Sequence, residues 1–247
     1  MAGHSKWANI KYRKERQDQL RGKLFSKLAK EITIAARLGD PDPDKNPRLA
    51  QAIERAKAAN MPKENIERAI KRATGELPGQ QYEEILYEGY GPFGVAVLVR
   101  AVTDNRNRAV AAIRKVFDDF GGSLEGSVAW LFERRGVLTL KARPDQDLEE
   151  LLMRAIDLGA EDLEEKEGEV EIYCPPDQLR AVKEGLEAQG VRIERAEVTL
   201  VPKQTVPLRG AEAEKILKFI DKLDDLEDVQ EVYANFDVPE EVMAQVG

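Results

Sequence analysis

Cations interleaved with aromatic rings are the residues of this chain whose types and spacing could do chemistry, and that chemistry is recognition of a polyanion. Lys6, Lys11, Arg13, Lys14 and Arg16 surround Trp7 and Tyr12, and Lys23, Lys27, Lys30 and Arg37 follow them. Ammonium and guanidinium groups neutralise phosphates, while aromatic rings stack on unpaired bases. Residues 1–37 hold ten Lys/Arg against three acids, a net of +7 on a chain whose formal charge is −8, which leaves −15 for the remainder. A basic end on an acidic body calls for an anionic partner, and a nucleic-acid backbone is the usual one. A second set, Lys63, Arg68, Lys71 and Arg72, falls on one predicted helix and could enter a major groove as the second helix of a helix-turn-helix.

Other motifs that resemble chemistry do not hold up. Gly89-x-Gly91-x-x-Gly94 spells the dinucleotide fingerprint, but that mechanism needs the third glycine to open a helix. Gly94 instead opens Val95-Ala96-Val97-Leu98-Val99, a strand pattern, so a hairpin loop is expected. His4 is the single histidine, which excludes a multi-histidine metal site. Cys174 is the single cysteine, excluding an internal disulfide, and reads as a core thiol. The acidic runs 161–165 and 221–225 lack calcium-loop spacing. We therefore expect no catalytic residues, no metal and no cofactor.

The elements that must position the cations follow from periodicity. From Gln19 to Arg37, Leu24, Phe25, Leu28, Ile32 and Ala35 share one side of a helix. Lys23, Lys27, Lys30 and Arg37 gather on the other, predicting an exposed row of four charges. Gly39 to Asp44, with two prolines, ends that helix. Asn46-Pro47 predicts a cap and first residue of a second helix, and Asn60-Met61-Pro62 a turn into a third ending at Gly75. Strands are expected at 82–88, 95–102 and 128–132, with a helix at 106–120 between the last two. After Gly136 the order strand, helix, strand, strand, helix, strand to residue 200 is the split-βαβ pattern, and a helix at 211–223 and strand at 229–236 complete a second plait. The expected class is α+β: a helical domain at 1–80, a discontinuous plait at 81–135 plus 203–240, and a plait at 136–202 inserted in it.

At 247 residues the chain suits two or three domains, and 34% charged residues favour solubility. No run approaches the roughly 20 apolar residues of a membrane span, and no apolar signal core follows the N-terminus, so a cytoplasmic location with no membrane partner is expected. A monomer is compatible with the sequence.

Several motifs together resemble the YebC/PmpR family. They are Met1-Ala2-Gly3-His4-Ser5-Lys6-Trp7, Asn9-Ile10-Lys11, Arg21-Gly22-Lys23, Asn46-Pro47-Arg48-Leu49, Asn60-Met61-Pro62-Lys63 and Ile66-Glu67-Arg68-Ala69-Ile70. Tyr87-Glu88-Gly89-Tyr90-Gly91-Pro92, Thr103-Asp104-Asn105-Arg106-Asn107-Arg108 and Gly126-Ser127-Val128 extend the likeness along the chain. Tyr12 stands where that family usually has His, and the loop 122–126 is about two residues short of its pattern. The resemblance implies a three-domain regulator of transcription without established catalytic residues or cofactor. It also admits a ribosome-bound translation factor for proline-rich stretches, since relatives include a mitochondrial translational activator. DNA and ribosomal RNA both remain open as partners.

Overall fold

A computed structural model describes residues 21–166 and 168–245. Lys6, Trp7, Lys11, Arg13, Lys14 and Arg16, like His4, lie outside the described residues. Three helices come first: α1 (Arg21–Leu38), α2 (Pro47–Ala58) and α3 (Lys63–Ala73). Asn46 joins the first two. Its Oδ1 accepts from Leu49 N at 3.1 Å, capping α2, while its Nδ2 donates to Ala35 O and Asp40 O at 2.9 and 2.8 Å. Pro47 costs α2 nothing at its first position, where the amide would be unpaired anyway. Asn60 takes the left-handed conformation (φ 62°) that turns the chain into α3. Ile32 and Ala35 of α1 meet Leu49, Ala52 and Ala56 of α2 and Ile66 and Ala69 of α3 in one apolar cluster.

Strands β1 (Glu83–Tyr90) and β2 (Ala96–Thr103) form an antiparallel hairpin, followed by α4 (Arg106–Asp119). The Gly89-x-Gly91-x-x-Gly94 motif is the hairpin tip, as expected from Pro92 and the strand that follows. A Cβ on Gly91 would lie 2.7 Å from the Phe219 ring, and one on Gly89 2.5 Å from Ser123 O, so those glycines serve close packing.

The expected strand at 128–132 does not join this sheet. Residues 129–131 form a single 3₁₀ turn, because the Glu88 carboxylate accepts the amides of Val128 (2.9 Å) and Ala129 (2.8 Å) that a ladder would need. The chain then enters β3 (Phe132–Lys141), and α5 (Leu148–Asp157), β4 (Asp162–Lys166), β5 (Glu169–Cys174), α6 (Leu179–Ala188) and β6 (Arg195–Pro202) follow. The sheet order β4-β5-β3-β6, all antiparallel, is that of a ferredoxin-like plait. Gly136 lies inside β3 rather than ahead of it, where a Cβ would stand 2.7 Å from Cys174 Sγ. Leu138, Leu140, Ile172, Val182 and Leu186 fill the core with Cys174, whose thiol is pushed up to about 11 by burial. It is a core residue with little thiolate.

After β7 (Val206–Pro207), α7 (Gly210–Asp224), β8 (Val229–Ala234), β9 (Phe236–Asp237) and α8 (Glu240–Gln245) complete the described chain. β8 pairs antiparallel with β2, so the order is β1-β2-β8. This sheet has three strands, one fewer than a full plait, because residues 128–132 are used elsewhere. Val97 and Val99 of β2 pack on Ile113 and Phe117 of α4 and Ile216 and Phe219 of α7, with the Phe117 and Phe219 rings edge to face at 5.0 Å. Two compact units result: Leu131–Lys203, and a unit that runs to Trp130 and resumes at Gln204.

Candidate nucleic-acid interface

Helix α1 carries charges on two sides, and packing takes up some of them on each: Lys27 and Lys30 on one, Glu31 on the other. The expectation of four cations in an exposed row fails at Lys27 and Lys30. Ile34, only 1% exposed, shares their side of the helix, so that side is covered rather than open to solvent. Lys30 is itself buried, and its Nζ donates to Glu227 O at 2.9 Å and Val102 O at 3.3 Å. Lys27 Nζ donates to Asp224 O, the last residue of α7, and Gln230 Nε2 returns a bond to Lys27 O at 3.0 Å. A helix C-terminus leaves carbonyls without intrahelical partners and carries negative dipole charge, and these two lysines meet that end and the turn after it. Burial lowers the Lys30 pKa, while Asp228, Glu227 and Asp104 act against that shift. The signal in the sequence was Ile34, an apolar residue within the cationic stripe.

A second cluster, unmarked at the sequence level, ties the helices to the sheet. Arg100 Nη1 donates to Glu31 Oε2 (2.8 Å) and Glu84 Oε2 (3.2 Å), and its Nη2 to Glu231 Oε2 (3.3 Å). Arg48 reaches the same Glu31 at 3.1 Å and the same Glu84. Burial alone would weaken the Arg100 charge, yet Glu31 and Glu231 hold its pKa above the ordinary guanidinium value. Burial would likewise raise Glu84, but Arg48 and Arg100 hold it below the usual carboxylate range. Its one legible trace is Arg100, a lone charge in the apolar run Ala96–Val102.

The Thr103–Arg108 motif is structural here. Asn105 Oδ1 caps α4 by accepting Arg108 N at 3.0 Å, and Arg106 pairs with Glu83 at 3.0 Å. Arg108 grips Asp228 with two bonds, 3.0 and 2.8 Å, and bonds Asp104 at 2.8 Å. Burial would raise the Asp228 carboxyl, but Arg108 holds it below its ordinary range.

What remains for a polyanion is at the outside. Lys23 and Arg37 are exposed on α1, though Arg37 also donates to Tyr82 O at 3.2 Å. Helix α3 turns Ile66 and Ala69 inward and leaves Lys63, Arg68, Lys71 and Arg72 exposed. Lys63 pairs with Glu67 at 3.6 Å. Arg68, Lys71 and Arg72 form no ion pair among the described residues. Among those residues no group of acids, His and Cys is arranged to hold a metal ion, and no helix is long and apolar enough to cross a membrane.

Comparisons with known proteins cover nearly the whole chain. Residues 5–76 match the family described as TACO1/YebC protein N-terminal domain, and residues 82–236 that described as TACO1/YebC second and third domain. A probable transcriptional regulatory protein of Thermotoga maritima is 52% identical over 248 residues, covering 100% of this chain and 98% of the relative. One of Aquifex aeolicus is 53% identical over 250 residues and 100% of both. The crystal structure of a conserved hypothetical protein from Aquifex aeolicus superposes with a TM-score of 0.77 at 52% identity, over 90% of this chain and 92% of that one.

Proposed function

The chain belongs to the TACO1/YebC family, and from that membership and the cationic outer side of α3 we propose that it is a transcriptional regulator that binds nucleic acid through its helical segment. Relatives about half identical along their full length are named probable transcriptional regulatory proteins, names that describe regulation rather than a reaction. The observation that carries the reading is that Arg68, Lys71 and Arg72 stand exposed on the helix side opposite buried Ile66 and Ala69. Arginine and lysine so placed can reach phosphates or guanine edges without any loss of core packing. Lys23, Arg37 and Lys63 extend the contact, as do Lys6, Trp7, Lys11, Arg13, Lys14 and Arg16 of the basic terminus. Lys27 and Lys30 leave the set, because their ammonium groups are spent on backbone carbonyls.

The test is Arg68→Glu/Lys71→Glu/Arg72→Glu in the full chain. Duplex affinity should fall, and the slope of log affinity against log salt should shrink by roughly 0.9 for each phosphate no longer neutralised. The melting temperature should stay, since the three side chains touch no core. Unchanged affinity and slope would remove α3 from the interface.

A second reading, a ribosome-associated translation factor, is favoured by Glu64 and Glu67, which are exposed on the same helix and oppose close approach of a duplex. Selection from random DNA, paired with ribosome co-sedimentation, separates the two. A regulator should enrich a site about 10³-fold or more over random sequence. Ribosome co-sedimentation with no enriched DNA sequence would place the function in translation.

A further inference from the structure

Strand β6 is one edge of the inserted plait, and backbone alternation fixes which of its polar groups are left over. Just past β3, Ala142 N donates to Gly168 O at 2.9 Å, so even-numbered residues of β3 bond β5 and odd-numbered ones bond β6. Lys203 N donates to Leu131 O at 2.9 Å, which turns the odd-numbered residues of β6 toward β3. Alternate residues of an antiparallel ladder point the other way. Ala196, Val198 and Leu200 therefore present N–H and C=O outward, and no other strand pairs with them among the described residues. The register with β3 runs from Arg195 to Pro202 without a shift, so no bulge twists this edge away.

An open edge is ordinarily guarded by charge, proline or shortness. The opposite edge of the same sheet has two of these guards, since β4 is five residues long and Asp162, Glu164, Glu165 and Lys166 are exposed on it. Strand β6 has eight residues, and its one proline, Pro202, is the last of them. Its charges, Arg195 and Glu197, approach each other at 3.4 Å on the side of the sheet away from α5 and α6. Val198 and Leu200 share the helix side with Ala196 and are half-buried.

We propose that the β6 edge is a self-association surface, pairing antiparallel with β6 of a second copy of this chain and joining two plaits into one continuous sheet. The order of residues along the strand selects that occupant. With Val198 on the two-fold axis, Ala196 faces the partner's Leu200 on the helix side. On the other side Glu197 faces the partner's Thr199, and Arg195 faces the partner's Val201. No like charges stand directly opposite, the arrangement that destabilises a strand pair. Neighbouring registers are worse. An axis at Glu197 opposes that carboxylate to its own copy, and an axis at Thr199 sets Pro202, which has no N–H, against Ala196. Strand β6 takes no part in the α3 contact, so failure of one reading leaves the other standing.

Sedimentation equilibrium of the full chain without nucleic acid tests this from about 1 to about 300 μM, because one strand pair is smaller than a standard interface. The parent should pass from monomer to dimer within that range. Val198→Pro removes the outward N–H, and with it both bonds at the axis, while the bonds to β3 stay. It should weaken association at least about tenfold. Val198→Lys keeps the backbone and opposes two ammonium groups, and should weaken association at least about fivefold. Both variants should melt near the parent temperature where the parent is monomeric. Hydrogen exchange gives a second reading. The amides of Ala196, Val198 and Leu200 should exchange quickly in dilute protein and slow as concentration rises, while those of Glu197 and Thr199 stay protected throughout. A parent that remains monomeric across the range, parent-like association in folded Val198→Lys, or outward amides whose protection ignores concentration would overturn the proposal.

Discussion

Lys30 sits on the same side of α1 as the other cations, yet its ammonium meets two carbonyls rather than water. A carboxylate there would face Val102 O, Glu227 O and the neighbouring Asp228. We expect Lys30→Glu to destabilise the protein by about 3–5 kcal/mol, the cost of an uncompensated buried charge, read from the urea midpoint. A shift under about 1 kcal/mol would mean that Lys30 swings out to solvent and regains its place among the binding cations. The carboxylates of this region set a pH dependence. Asp228 and Glu84 titrate below their unfolded values, so their contribution is complete above those values, near pH 4, and is lost as pH falls through the lower folded ones. Stability should therefore decline as pH falls below about 5. Arg108→Met should flatten the Asp228 part of that decline, and a decline of parent steepness in the variant would assign it to other groups.

At the scale of elements, Asn46 is the single side chain that both starts α2 and closes the break after α1. Asn46→Ala loses the cap, typically about 1 kcal/mol, and leaves Ala35 O and Asp40 O without their donor, a further 1 kcal/mol or so. An expected loss of about 2 kcal/mol in thermal or urea unfolding checks this. A loss near that of an exposed alanine substitution would show water replacing both bonds. The elements themselves were largely legible, because Asn46-Pro47, Asn105 and the apolar periods are local signals. The segment 128–132 was not. Its Val128, Trp130 and Phe132 alternate as a strand should, but the Glu88 side chain, forty residues away in sequence, claims the amides of Val128 and Ala129. Local pattern cannot register a distant acceptor. The same holds for Arg100, whose three glutamate partners come from α1, β1 and β8.

At the scale of the whole chain, charge is split between a basic N-terminal stretch and an acidic remainder, and the binding proposal rests on that split. Removing residues 1–18 deletes Lys6, Lys11, Arg13, Lys14 and Arg16 with Trp7. We expect weaker nucleic-acid binding and a smaller salt slope, measured alongside the α3 triple variant; parent-like binding would remove residues 1–18 from the interface. Composition, periodicity and motif spacing determined by themselves the α+β class, the inserted βαββαβ plait and the hairpin reading of the glycine motif, since each depends on neighbours along the chain or on simple counts, and the residue runs quoted above carried the resemblance to the family. Only the tertiary structure decided which cations are available. A helix side rich in lysine reads as solvated from sequence, but packing against a second surface turns the same lysines into ligands for backbone carbonyls. Ile34 marks that second surface, and its meaning depends on β2 and the end of α7, which the sequence of α1 does not contain.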